Sequence, residues 1–334
     1  MLLIDSLYIN NSGGKVLLDY LVSELETRNI KPYYLFDLRC INDFKEIPDE
    51  RKVFLKANLW NRHRWYKENF DKFSSVFCFG NIPPPIRLRI PVYTYFHQLY
   101  YLRKIYPNYL KGKIKIFFQK RILSYLCKNT NIVMTQSEFI KNEFEKTYHF
   151  PPNRILVMPF FYIPPPTNIH QIKNKNSFVY VSGGNRHKNH FRLLKAWELL
   201  AKEGYYPELG LTVDKFLFPK IDCEIKKLQQ NGLKIFNYGF TNPYSLYDKY
   251  EYLIFPSLLE TMGLGQVEAI CCGCKVIASD LPHTFAVIQP SLIFNPLDEN
   301  SIKNAVVEAL QSKKIPESKV VMQNKINELI QLIK

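Results

Sequence analysis

The chain has 334 residues, 46% hydrophobic and 22% charged, and a net charge of +15. At about 150 residues per domain that length predicts two domains, and an aromatic content of 15% excludes wholesale disorder. No apolar run approaches the roughly 18 uncharged residues of a spanning helix, the N-terminus lacks a basic n-region, and seven cysteines in no framework spacing suit a reducing compartment. The expectation is a soluble, cytoplasmic protein.

LLIDSLYI opens the chain as a short apolar run typical of a buried strand. NNSGG follows as a turn, and KVLLDYLVSELETRN repeats apolar residues at helical spacing. KPYYLFDL is the next strand, so the order is strand, Gly-rich loop, helix, strand, which predicts a parallel α/β sheet. SVFCFG, VYTYF and NIVMTQS supply further strands, with helices expected over 62–71, 98–127 and 137–147 and Ser137 as a cap. Pro83 to Pro85 read as a rigid loop.

The stretch 159–176 holds three successive prolines and then a polar run, so it is the linker candidate. After it the pattern restarts. FVYVSGG, LGLTVD, KIFNYGF, YLIFPS, KVIASD and SLIF read as strands alternating with helical stretches. The chain therefore divides into residues 1–165, residues 166–316 and a last helical segment, 317–334, that can return to the first domain. Two doubly wound α/β domains face each other across a hinge near residue 165. In such sheets ligands bind beyond the carboxyl ends of the strands, and a cleft between two of them is the expected site.

From Lys72 to Ser137 there is no Asp or Glu, while Arg87, Arg89, Arg103, Lys104, Lys111, Lys113, Lys115, Lys120, Arg121 and Lys128 intervene, interleaved with Tyr, Phe, Leu and Ile. That mixture fits an anionic membrane surface. A plain solvated face is the bland alternative, and no helix-turn-helix, zinc-finger or RNP signature supports nucleic acid.

PSLLETMGLGQVEAICCGCKVIASD carries the most chemistry. A strand ends at Pro256 and a loop then presents Glu260. Gly263 and Gly265 let the backbone approach a ligand, and a helix begins near Gln266, with Glu268 in its first turn. A Gly loop opening a helix offers amides to a phosphate, and Glu268 can accept bonds from ribose hydroxyls. This segment resembles the E-x7-E signature of the family 4 (group 1) retaining glycosyltransferases of the GT-B fold. It departs from the family pattern at Thr261, Met262, Gly265 and Lys275, none of which removes a carboxylate. Within that resemblance Glu260 holds donor-sugar hydroxyls, Glu268 the ribose, and Gly263 and Leu264 offer main-chain amides.

FVYVSGGNRHKNHFRLLKAW is similar to a second family stretch. The resemblance puts Lys188 on the donor diphosphate; the family arginine falls at Gly183, which leaves Arg186 to take its place. Both cations can neutralise a leaving diphosphate. Asn10 to Gly14 resemble the family's Gly-Gly loop, with Gly13 and Gly14 near the donor phosphates, and His97 matches a family histidine near the reacting sugar. An ordinary histidine pKa would let His97 orient or shuttle a proton. No Asp-x-Asp and no P-loop occur. Cys271, Cys272 and Cys274 lack a second ligand pair and read as small buried residues, so neither metal nor other cofactor is expected.

The resemblance implies a metal-independent hexosyltransferase that uses a nucleotide sugar and retains configuration. Its acceptor would be a glycan or lipid-linked oligosaccharide of a bacterial surface polysaccharide, reached from the inner face of the cytoplasmic membrane. A catalytically silent docking subunit and a nucleotide-sugar epimerase are the alternatives.

Overall fold

The computed structural model describes residues 1–102, 110–162 and 172–334, the side chains of 12, 110, 111 and 113 excepted. The chain forms two compact units, Met1–Tyr162 with Gln323–Lys334, and Ile163–Met322. Residues 163–171, half of the expected 159–176 linker, and with them Arg103 and Lys104 of the basic run, lie outside the described residues. Its ends are ordered structure instead: Phe160 and Phe161 are buried in unit 1, and residues from Asn174 onward form a strand of unit 2.

Unit 1 holds strands β1 (Leu2–Asp5), β2 (Tyr33–Asp37), β3 (Lys52–Leu55), β4 (Ser75–Cys78), β5 (Val92–Phe96), β6 (Ile132–Thr135) and β7 (Ile155–Val157). They run in the order β3-β2-β1-β4-β5-β6-β7, every pair parallel. Helices α1 (Ser12–Thr27), α2 (Leu59–Asn69), α3 (Leu110–Leu126) and α4 (Glu138–Tyr148) cover the faces. Ser137 caps α4 by accepting the Ile140 amide at 3.3 Å. Strands β3 and β7 escape sequence reading because Lys52–Leu55 and Ile155–Val157 are short and lack clear alternation.

Asp5, buried at the end of β1, accepts bonds from Arg62 Nη2 at 2.7 Å, Arg62 Nε at 2.9 Å and Tyr66 Oη at 2.7 Å. Arg62 also donates to the carbonyls of Ile82 and Pro83. A buried charge pair with this many partners locks α2 against β1 and the proline loop.

Unit 2 repeats the plan with β8 (Asn174–Tyr180), α5 (His190–Lys202), β9 (Glu208–Leu211), α6 (Pro219–Gln230), β10 (Ile235–Asn237), α7 (Pro243–Lys249), β11 (Tyr250–Phe255), α8 (Leu264–Cys271), β12 (Lys275–Ser279), α9 (Pro282–Phe285), β13 (Ile288–Gln289), β14 (Leu292–Phe294), α10 (Glu299–Gln311) and β15 (Lys319–Val320). The sheet order is β10-β9-β8-β11-β12-β14, again all parallel. The helix expected from 317 onward is two things. Lys319–Val320 pair antiparallel with β13, and only α11 (Ile326–Ile333) is helical. It packs in unit 1, where the carbonyl of Ile333 accepts from Ser75 Oγ at 3.1 Å.

In both sheets the chain first walks outward from its opening strand and then returns to that strand's other side. The crossover direction therefore switches between β1 and β4 in unit 1 and between β8 and β11 in unit 2. Those are the places where such a sheet leaves a crevice beyond its carboxyl ends.

Candidate functional site

In unit 2 the two loops at the switch point carry the two residues weighed most heavily in the sequence. The loop after β8 ends in a tight turn, Arg186–Lys188, closed by Asn189 at φ +63°. The loop after β11 carries Ser257 and Glu260. The His187 carbonyl ties the two together, accepting from the Leu258 amide at 2.7 Å and from Ser257 Oγ at 3.4 Å, while Tyr180 Oη at the end of β8 donates to the Lys188 carbonyl at 3.1 Å.

On that frame Lys188 Nζ lies 2.5 Å from Glu260 Oε1, which also accepts from Ser257 Oγ at 2.6 Å. Glu260 is 8% exposed. Burial alone would push its pKa up, but the Lys188 ammonium and the Ser257 hydroxyl hold it below the ordinary carboxylate value. The pair is a charged, preorganised unit, with Arg186 exposed in the same turn. Lys188 is therefore not a loose surface cation.

Gly263 sits at φ +66°, and a Cβ there would meet Gln266 Nε2 at 2.6 Å. This left-handed residue turns the chain straight into α8, which starts at Leu264 rather than near Gln266. Glu268 consequently stands in the second helical turn, not the first. Its carboxylate has no hydrogen-bond or ion-pair partner among the described residues, and burial pushes its pKa up to about 7. The Gln266 amide donates to the Gly263 carbonyl at 3.0 Å, the Leu264 and Gly265 amides precede the helix ladder, and Gly263 provides no side-chain cap. Cys274 is buried as expected, whereas Cys271 and Cys272 are partly exposed. No group of three or more His, Cys, Asp or Glu suited to a metal occurs among the described residues.

The unit 1 switch point is built differently. Gly13 and Gly14 lie in the first turn of α1, not in a loop before it. A Cβ on Gly13 would meet nothing within 4 Å, and one on Gly14 would lie 3.4 Å from His97 Nε2. His97, just beyond β5, is clasped by Asn81, which stands beyond β4 at φ +67°. The His97 amide donates to Asn81 Oδ1 at 2.6 Å, and its Nε2 lies 3.2 Å from Asn81 Nδ2. Because that amide group accepts through its oxygen, its nitrogen donates, which places the ring proton on Nδ1. Burial lowers the His97 pKa to about 4, so the ring is neutral at physiological pH. Of the two roles expected of His97, a fixed, neutral ring suits orienting a partner rather than shuttling a proton.

Ser257, Asn81 and the His187 carbonyl were not singled out from the sequence. Ser257 stood inside the quoted motif, and its only signal was its place three residues before Glu260. Asn81 has none beyond following a Gly at a strand end.

Two parallel-sheet units of this plan define the GT-B class. Residues 167–326 match the family described as "Glycosyl transferases group 1", and residues 17–161 match "Glycosyltransferase Family 4". The chain belongs to the family 4, group 1 glycosyltransferases. Among curated proteins it is 26% identical over 213 residues to the O-antigen chain mannosyltransferase RfbU of Salmonella typhimurium, covering 60% of this chain and 56% of that protein. It is 23% identical over 270 residues to O-antigen chain mannosyltransferase B of Escherichia coli, covering 75% and 68%. Solved structures with the same fold include Anabaena Alr3699/HepE in complex with UDP and glucose, at 12% identity and a TM-score of 0.66. The alignment covers 99% of this chain and 94% of that one. The lipopolysaccharide outer core galactosyltransferase WaaB is similar at 15% identity and a TM-score of 0.64, with coverage of 99% and 94%.

Proposed function

We propose that the chain transfers a hexose from a nucleotide sugar to a glycan or lipid-linked acceptor in bacterial surface polysaccharide synthesis. The observation that carries this reading is the Lys188–Glu260 pair at the unit 2 switch point, followed eight positions on by a half-buried Glu268 with no hydrogen-bond or ion-pair partner among the described residues. Family membership and the O-antigen relatives support it. In this reading Glu268 accepts the ribose hydroxyls, Glu260 the sugar hydroxyls, and the Gly263 and Leu264 amides face the donor. Lys188 with Arg186 meets the charge that develops on the diphosphate. Gly13, Gly14 and His97 provide close backbone approach and a neutral hydrogen-bonding ring in unit 1.

The reaction breaks the bond between the anomeric carbon and the phosphate oxygen and forms one to the acceptor oxygen on the same face. The acceptor proton passes to the leaving phosphate, so configuration is retained without a protein nucleophile. With two cations available for the diphosphate, the reaction proceeds without a metal. The protein works at the inner surface of the cytoplasmic membrane, a placement supported by the acid-free, basic run from Lys72 to Ser137.

The test is thermal-shift binding against UDP, GDP, ADP, CMP and their sugars, with and without EDTA. Selective stabilisation by one nucleotide is expected, unchanged by EDTA and lost in Glu268→Ala. No shift with any of them overturns the transferase reading and leaves a silent docking subunit. Product anomeric configuration by proton NMR tests retention, and inversion would overturn it.

A further inference from the structure

Helix α3 has two apolar faces. Ile116, Leu123 and Leu126 are buried against unit 1. Ile114, Phe117, Phe118 and Tyr125 are exposed, and with Arg121 they fall at spacings of three, four and seven, one continuous outer stripe. A helix on a water-facing surface carries polar residues there. Beside the stripe, Trp60 of α2 is 84% exposed, the largest side chain left so open in unit 1.

Between α2 and α3 lies an open-sided cavity of about 600 Å³ whose lining includes Trp60, Phe118, Ile122 and Tyr125 together with His63 and Arg121. The cations are placed over the rings: Lys128 Nζ is 3.7 Å from the Tyr125 centroid and the Arg121 guanidinium 5.8 Å from that of Phe117. No carboxylate from Lys72 to Ser137 opposes them. No helix among the described residues is long and apolar enough to span a bilayer. The buried Asp5–Arg62 pair holds α2, and so Trp60, in a fixed place.

We infer that this α2–α3 face is a monotopic docking surface for an anionic phospholipid bilayer, in which Trp60, Phe118 and Tyr125 enter the acyl boundary and the groove takes a lipid tail. The inference rests on the proposed site of action only in placing the chain at a membrane. The chemistry fits that occupant on two counts. Amphipathic rings sit at headgroup depth while Lys and Arg meet lipid phosphates, and contiguous exposed apolar side chains rimmed by charge mark an interaction site. A second copy of the chain would bring the same uncompensated cations face to face, which is unfavourable.

Three tryptophans are present, and Trp65 and Trp197 are 9% and 1% exposed, so a change in fluorescence on binding reports Trp60. Sedimentation with phosphatidylglycerol–phosphatidylcholine vesicles is expected to pull down the protein, with Trp60 emission shifted to the blue and quenched by brominated acyl chains. Pure phosphatidylcholine should bind far less. Trp60→Ser with Phe118→Ser, or Arg121→Glu with Lys128→Glu, should weaken binding by more than about tenfold. The nucleotide thermal shift should stay intact, which also certifies folding.

Equal binding to both vesicles, binding without quenching, or no binding by the wild type overturns the proposal. So does a concentration-dependent dimer in ultracentrifugation, without lipid, that is lost in the Trp60 variant. Vesicle binding without any nucleotide response would instead overturn the transferase reading and leave this face standing.

Discussion

The two switch points occupy the same place in two sheets of the same order, yet their chemistry is opposite. In unit 2 the crevice is ionic: Glu260 is buried and held charged by Lys188 and Ser257. In unit 1 burial keeps the His97 ring neutral, clasped by Asn81 beside a glycine helix start, while the charged pair at the end of β1, Asp5 with Arg62, is sealed from solvent. Topology supplies the location, and local partners decide whether it meets charge or backbone. A neutral ring and bare amides suit close approach to an uncharged or already neutralised group, whereas a paired lysine suits a group that gains charge.

Breaking the ionic member should have the largest effect. Lys188→Met leaves Glu260 buried without its counter-ion, and stability should fall by about 3–5 kcal/mol. Adding Glu260→Gln should recover most of that loss, because no uncompensated charge remains. Transfer should fall on the order of 10²–10³-fold in the double variant regardless. Chemical denaturation and product formation, measured on both proteins, separate folding from chemistry. If the double variant regains activity with stability, the pair is structural only.

The neutral member is tested by acid. His97 and His190 are lowered to about 4 and about 3 by burial, Lys188 adding to the shift at His190. A base with a depressed folded-state pKa binds fewer protons than the unfolded chain between its two pKa values. The stability contributed by the His97 site is therefore full above about 6.5 and is lost as pH drops toward 4, by up to roughly 3 kcal/mol. Denaturant midpoints compared at each pH between wild type and His97→Asn isolate that contribution: the slope should become shallower in the variant, His190 supplying the remainder. An unchanged slope would mean that His97 is charged in the folded state and that the contrast between the units fails.

A smaller effect belongs to Glu268, whose pKa is pushed up to about 7. The ionised carboxylate is the better acceptor for ribose hydroxyls, so nucleotide affinity should fall by about tenfold between pH 8 and pH 6. Glu268→Gln should bind more weakly at pH 8 and show no such fall. Calorimetric titration at both pH values decides it; a fall that survives in the variant assigns the ionisation elsewhere.

Much of this was legible in the sequence for a physical reason. Parallel strands buried on both faces read as apolar runs, and Leu2–Asp5, Tyr33–Asp37 and Tyr250–Phe255 are such runs. A spacing of eight between Glu260 and Glu268 survives any uncertainty about where the helix starts. The helix start itself did not read correctly, because the left-handed Gly263 shortens the loop without changing composition. Nor did the Lys188–Glu260 contact, which joins residues 72 apart through a sheet crossover. The neutrality of His97 depends on burial by neighbours that no local pattern announces.

The smallest expected effect sharpens the glycine part of the comparison. A Cβ on Gly13 would enter open space, and one on Gly14 would touch His97 Nε2 at 3.4 Å and Ile9 at 3.6 Å. Gly13→Ala reduces the entropy of the unfolded chain without a clash, so stability should rise by about 0.4–1 kcal/mol. At Gly14 the same gain is offset by the tight contact with the histidine, leaving a change within about 0.5 kcal/mol. If the start of α1 serves the donor phosphates, the nucleotide thermal shift should nonetheless shrink in both variants, since a methyl group then stands where the backbone must be approached. A full nucleotide response in a stabilised Gly13→Ala protein would mean that unit 1's glycines play no part in nucleotide binding.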